Sequence, residues 1–120
     1  MVTIPQHGGN NELFDISRFL ADVDMFVQPD TWHITIEQCM GDRAEEIEQL
    51  TSSGWSMPDD EFRSLYRGIY QTIDGNFVGL LGGERLFELL AVDSSFWEVT
   101  GPPAFESHML ATYGAWRQRA

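Results

Sequence analysis

The spacing of apolar residues predicts a helix and then a strand in the first third of the chain. Over 12–27 they recur every three or four positions, which predicts one amphipathic helix that begins near Asn11 and ends before Pro29. Over 31–39 apolar and polar residues alternate and β-branched residues are frequent, as in a half-buried strand. Residues 1–11 contain a proline, two glycines and two asparagines, and we expect them to form a loosely ordered lead-in.

The second half of the chain has the pattern of an antiparallel meander. Four runs have strand character: 69–73, 76–81, 85–92 and 96–99. The dipeptide Asp74-Gly75 is a strong hairpin signal between flanking strands, and further turns are expected at 82–84 and 93–95. A last helix is predicted over 104–116, where apolar residues again share one face.

Two short helices are predicted between the first strand and the meander. One covers 42–50, and the other begins at Pro58, where a proline followed by three acids suits a helix start. The resulting order of elements predicts a single α+β domain over 1–120, an antiparallel β-meander packed with helices on one face. A chain of 120 residues that is 42% hydrophobic can build one ordinary core.

Charge is concentrated in one segment of the chain, residues 42–61, which we term the acidic segment. Its seven carboxylates are Asp42, Glu45, Glu46, Glu48, Asp59, Asp60 and Glu61. With Arg43 as the one cation, seven negative charges and one positive give −6, half of the net charge of −12. Trp55 lies in the same segment, in a predicted loop between the two short helices. These residues predict a surface that docks on a basic protein and disfavour nucleic acid, whose phosphates the segment would repel.

Residues typical of metal sites and of nucleophilic catalysis are sparse. The three histidines, His7, His33 and His108, are not at ligand spacing from one another, and Cys39 has no second cysteine beside it. No serine lies in a nucleophile-elbow motif. We therefore expect no metal, no cofactor and no catalytic residues, and a protein that is not an enzyme.

Other features of the chain bear on its compartment. A lone cysteine in an apolar run is typical of a buried thiol in a reducing environment. No basic region followed by an apolar stretch marks a secretory signal, and no apolar run reaches the length of a membrane span. We expect a cytoplasmic protein that does not insert into a membrane.

One string over 86–101, LFELLAVDSSFWEVTG, is distinctive. It predicts a hairpin in which Asp93 accepts hydrogen bonds from the backbone of the turn. The strand and turn resemble those of small bacterial proteins that include toxin-immunity proteins, and YQTIDGNFVG over 70–79 is similar to them as well. The resemblance implies a small cytoplasmic protein that neutralises a toxin.

Three hypotheses about function follow. The first is an immunity protein, in which the acidic segment steers encounter with a basic site of a toxin and Trp55 anchors the contact. The alternative is a small-ligand-binding or enzymatic domain with a pocket lined by Trp32, Trp97, Tyr70 and Tyr113. A homodimer, formed through an exposed strand or Trp97, is the third.

Overall fold

Six antiparallel strands form one sheet, and helices pack on one of its faces. The computed structural model describes residues 1–117. The strands are β1 (Val2–Pro5), β2 (Thr31–Met40), β3 (Trp55–Pro58), β4 (Gln71–Leu81), β5 (Glu84–Val92) and β6 (Phe96–Thr100). The helices are α1 (Ile16–Asp24), α2 (Ala44–Thr51), α3 (Asp59–Tyr66) and α4 (Pro103–Tyr113). The strand order is β1-β6-β5-β4-β2-β3, in which β4, β5 and β6 form the predicted meander, so the α+β class is confirmed.

Aromatic pairs join the helices to the inner face of the sheet. Every second residue of a strand points to this face, and those of β2 (Trp32, Ile34 and Ile36) are fully buried. Ring pairs that connect a strand to a helix include Trp32 with Phe62 at 4.8 Å, Trp97 with Phe19 at 5.1 Å, and Phe87 with Phe105 at 4.7 Å. The core is therefore filled between the sheet and its helices, and the other face of the sheet carries no helix from residues 1–117.

The prediction of a loosely ordered lead-in over 1–11 is wrong for Val2–Pro5, because these residues form β1. Val2 and Ile4 lie opposite Val99 and Trp97 of β6, and Ile4 is completely buried. A strand of four residues that contains a proline gives little local signal, and its pairing partner is more than ninety residues away in sequence.

Helix α1 is shorter than the predicted range of 12–27. Asp15 is its N-cap, and the Asp15 carboxylate accepts a hydrogen bond from the backbone N–H of Ile16 at 2.8 Å. The last helix is also shorter than predicted: it ends at Tyr113, and Gly114 follows with a φ of +82°.

The hairpin predicted at Asp74-Gly75 is wrong, because β4 runs straight through these residues. Gly75 lies opposite Ile36 on one side and Ala91 on the other, next to a shift in register. A Cβ atom at Gly75 would lie 3.2 Å from the carbonyl oxygen of Thr35. Glycine serves here for a close approach of neighbouring strands, not for a turn.

The two real hairpins turn at Gly82-Gly83 and at Asp93-Ser94. All four residues have positive φ, as tight hairpin turns require, and Asp93 adopts φ of +48°. The predicted capping role of the Asp93 carboxylate is wrong. Instead, Oδ1 of Asp74 accepts the backbone N–H of Asp93 at 2.7 Å, from the neighbouring strand.

We predict that Asp74 stabilises this turn and that the side chain of Asp93 does not. Asp74→Ala should lower the free energy of unfolding by about 0.5–2 kcal/mol, like the loss of a helix cap. Asp93→Asn is the control, since asparagine tolerates positive φ and keeps the same backbone N–H. Urea denaturation of both variants measures the effect. A change below about 0.5 kcal/mol for Asp74→Ala, the range of ordinary surface substitutions, would contradict the assignment.

Candidate docking surface

Helix α2 is fixed to β2 by a buried threonine. Thr51, at the end of α2, accepts a hydrogen bond from the N–H of Ile36 at 3.0 Å and donates to the carbonyl of Ile47 at 2.9 Å. Thr51 and Ile47 have no solvent exposure. Because these two residues take the inner side of the helix, Glu45 and Glu46 of its first turn are left exposed.

The exposed carboxylates of α2 and α3 lie side by side around Arg43. Arg43 lines one surface hollow of about 340 Å³ with acids that precede and begin α2, and a second of about 380 Å³ with acids of the first turn of α3. We term these carboxylates the acidic surface: Asp42, Glu45, Glu46, Asp60 and Glu61. The fold thus brings together five of the seven acids of the acidic segment.

Arg43 neutralises only part of this charge. Its guanidinium donates to both carboxylate oxygens of Glu46, at 3.0 Å from Nε and 2.7 Å from Nη2. The hydrogen bond from Arg43 holds the pKa of Glu46 below its ordinary value. This pair is solvent-exposed and contributes little to stability. Five negative charges against one positive charge leave −4 on the acidic surface.

Asp59 is not part of the acidic surface, which corrects the prediction for this residue. Its side chain is buried and accepts hydrogen bonds from Nε1 of Trp32 at 2.8 Å, Nε2 of Gln28 at 3.0 Å and Nε of Arg63 at 2.9 Å. Burial alone would raise the pKa of Asp59, but the hydrogen bonds from Trp32, Gln28 and Arg63 outweigh burial and lower it. Asp59 therefore holds α3 against β2.

Glu48 also differs from the predicted role, because it is half-buried and faces β2. Its Oε1 accepts the backbone N–H of Cys39 at 3.2 Å. The Cys39 thiol is buried as predicted, and burial, with the nearby Glu48 charge in second place, raises the pKa of Cys39 to about 11. Glu48 is therefore not counted in the acidic surface, because one of its carboxylate oxygens binds the backbone of β2.

Trp55 lies in strand β3 and not in the predicted loop. It pairs with Ile34, so its side chain points to the face of the sheet that the helices cover. β3 is an edge strand of the sheet, and Trp55 is 45% exposed there. Leu50, in the last turn of α2, is exposed as well.

Two exposed apolar side chains beside the acidic surface were not predicted. Met40 and Tyr70 are 55% and 59% exposed, and the N–H of Tyr70 donates to the carbonyl of Met40 at 2.7 Å. The nearby carboxylate of Asp42 raises the pKa of Tyr70. Sequence could not pair them, since thirty residues separate them and the pairing of β2 with β4 brings them together.

The aromatic pocket of the alternative hypothesis is not formed by the four residues predicted to line it. Trp32 and Trp97 are completely buried in the core, where Trp97 donates from Nε1 to the carbonyl of Phe14 at 3.0 Å. Tyr70 is on the surface, and Tyr113 packs its ring against Phe14. These aromatics fill the core or face solvent and do not enclose a shared cavity.

Comparisons with known proteins found no relative of this chain. No family model matches the chain, and no curated protein and no solved structure is found to be similar to it. Within residues 1–117, no helix has the length and apolar character needed to cross a bilayer. Over the same residues, histidine, cysteine and carboxylate side chains do not cluster in groups of three or more that could hold a metal ion.

We predict that Asp59 stabilises the fold while its neighbour Glu61 does not. Asp59→Ala should lower the free energy of unfolding by about 1–3 kcal/mol, because the buried Trp32 N–H loses its acceptor. Glu61→Ala, the control in the same helical turn, should change it by less than about 1 kcal/mol, because an exposed first-turn acid contributes only through the helix dipole. Urea denaturation at neutral pH compares the two. Equal effects would contradict the division between a buried and an exposed carboxylate.

The stabilising effect of Asp59 should also depend on pH. Because the folded-state pKa of Asp59 is below its ordinary value of 3.8, its contribution is fully present above that value. It is lost as the pH falls through the folded-state pKa, so the difference in stability between wild type and Asp59→Ala should shrink in strong acid. A difference that grew with acid would have the wrong sign.

Proposed function

We propose that this protein binds a basic protein surface through the acidic surface, as an immunity protein that neutralises a cognate bacterial toxin. One observation carries the proposal: carboxylates from two helices meet around a single arginine, with exposed Met40 and Tyr70 beside Asp42. Trp55 is a further exposed aromatic residue, on the edge strand β3. Aromatic and methionine side chains are enriched in the centres of protein interfaces. A cluster of negative charges attracts a partner whose surface is positive.

Within residues 1–117, the acidic surface makes few contacts that could stabilise the fold. Glu45 has no ion pair or side-chain hydrogen bond in the described structure, and Asp60 accepts only the N–H of Glu61 next to it. Acids in the first turn of α3 gain from the helix dipole, by about 0.3–1 kcal/mol each. Their mutual repulsion acts against the compact state. Because these charges repel one another and contribute little to folding, a role in binding explains their clustering better.

The chemistry of the partner follows from that of the acidic surface. An enzyme that acts on an anionic substrate, such as a nuclease, has a cationic active site of the matching sign. A protein with a local charge of −4 and an exposed tryptophan can cover such a site and exclude the substrate. The resemblance drawn from the 86–101 string in the sequence leads to the same hypothesis.

Docking through side chains is favoured over addition of a strand to β3. Asp59 donates its N–H to the carbonyl of Asp30, and the alternation of an antiparallel ladder then turns the N–H groups of Trp55 and Met57 toward β2. Ser56 alone within β3 keeps an outward N–H, because Pro58 has none. An edge with one free donor is a poor template for a new strand.

The test uses the protein product of the adjacent gene, purified and mixed with this protein. For a basic partner, the association rate measured by stopped flow should fall steeply as salt rises, because exposed charges are screened beyond ~8 Å at physiological ionic strength. The variant Glu45→Lys/Glu46→Lys/Asp60→Lys should abolish most of this salt dependence and reduce the on-rate. Trp55→Ala should instead raise the off-rate, with a loss of about 2 kcal/mol or more in affinity.

A matched charge reversal separates the acidic surface from net charge. Glu37→Lys/Glu84→Lys/Glu98→Lys changes the net charge equally on side chains that make no ion pair or hydrogen bond in the described structure. This control should keep most of the on-rate and protect cells that express the toxin. If both triple variants slow association alike, or if the neighbouring product neither binds nor is toxic, the proposal is wrong.

A further inference from the structure

A separate hollow of about 260 Å³ lies on the face of the sheet that carries no helix. Its floor is Val78 and Leu80 of β4. The strand register sets His33 opposite Val78 and sets Arg85 and Thr31 on either side of Leu80. The hollow therefore crosses β4, with β2 and β3 forming one wall and the start of β5 forming the other.

The charge of this hollow is opposite to that of the protein. Arg85 and His33 line it and no carboxylate does, although the chain has nineteen acidic residues and seven arginines. In the described structure Arg85 makes no ion pair and no side-chain hydrogen bond. By contrast, the hollows beside Arg43 are acidic, and the groove between α1 and α3 contains Asp24.

The imidazole of His33 is held in place from two sides. Its Nδ1 is 2.8 Å from the hydroxyl oxygen of Ser56 on β3. On the other side lies Gly54, whose φ of +87° and missing Cβ allow close approach: a Cβ there would be 2.8 Å from Nε2 of His33. The ring is thus a fixed wall of the hollow, and its position depends on a glycine.

We propose that this hollow binds a small organic carboxylate with an apolar body. The planar guanidinium of Arg85 matches a carboxylate in a two-point contact, and the fixed ring of His33 forms the facing wall. The hydroxyls of Thr31 and Ser56 line the wall on the β2 side, while Val78 and Leu80 give the apolar part of the ligand a surface to cover.

The size and composition of the hollow limit the ligand further. Pockets for drug-sized ligands are about 300–1,000 Å³, so this hollow suits a molecule with about one ring. A phosphate is less suited, because the floor is apolar and the lining has a single arginine. The hollow and the acidic surface lie on opposite sides of the sheet, so this proposal does not rest on the proposed function.

The experiment uses benzoate as the probe and benzamide as its neutral counterpart, titrated into ¹⁵N-labelled protein. Benzoate should shift the amide resonances of 31–33, 78–80 and 83–85 in a saturable way, with a Kd of about a millimolar, as expected for so small a ligand. Benzamide should bind at least about tenfold more weakly, because it cannot form the charged pair with Arg85.

Variants assign the binding to Arg85. Arg85→Gln should weaken benzoate at least about tenfold, and Arg85→Lys should fall between the two because lysine keeps the charge without the fork. Arg67→Gln is the control: it removes an equal charge from the groove between α1 and α3 and should leave affinity unchanged. Arg85 is exposed, and an unchanged dispersed spectrum shows that each variant is folded.

Three results would overturn the proposal. The first is the lack of saturable shifts up to about 20 mM benzoate, far above the expected Kd. The second is equal binding of benzoate and benzamide, which would make the contact merely apolar. The third is equal weakening by Arg67→Gln and Arg85→Gln, which would reduce the effect to net charge.

Discussion

A buried carboxylate, Asp15, joins the two layers of the protein. It is 2% exposed, and it accepts hydrogen bonds from the N–H of Ile16, the N–H of Thr72 at 2.9 Å and the hydroxyl of Tyr66. One side chain thereby caps α1 and ties it to β4 and to α3. Burial raises the pKa of Asp15 and outweighs the hydrogen bonds to Tyr66, Ile16 and Thr72, which lower it. The arrangement costs desolvation and in return fixes where α1 and α3 lie on the sheet.

Two other buried acids also connect separate elements of the fold. Asp22 of α1 accepts from Nε2 of His108 at 2.7 Å and from the hydroxyl of Tyr113, both on α4. Asp59 links α3 to β2, and Arg63 continues that link to Asp24 at the end of α1. In residues 1–117 the acidic side chains therefore fall into two groups: a few buried ones hold helices to the sheet or to each other, and many on the surface make no such connection.

The sequence predicted those features that local pattern determines. Strand β2 and the late hairpins follow from alternation and turn residues, and α2 and α3 follow from a short apolar stripe and an acidic start. The sequence-based prediction failed where a residue's role depends on contacts with residues far away in the chain. Asp59 and Asp60 are adjacent acids in one helical turn, and only the position of the Trp32 indole makes the first a buried acceptor and the second a surface charge. In the same way, the dipeptide that contains Gly75 is typical of a turn, but pairing with β2 places Gly75 inside a strand.

If the acidic surface serves binding and not folding, as we propose, removing its charge should leave the stability of the protein intact. Glu45→Gln/Glu46→Gln/Glu61→Gln removes three repelling charges while leaving Asp15, Asp22 and Asp59 in place. Its free energy of unfolding, measured by urea denaturation at low salt, should stay within about 1 kcal/mol of the wild-type value, because relief of self-repulsion offsets the favourable helix-dipole interactions that the three charges lose. A loss of more than about 1 kcal/mol, typical of a disrupted structural contact, would contradict the account.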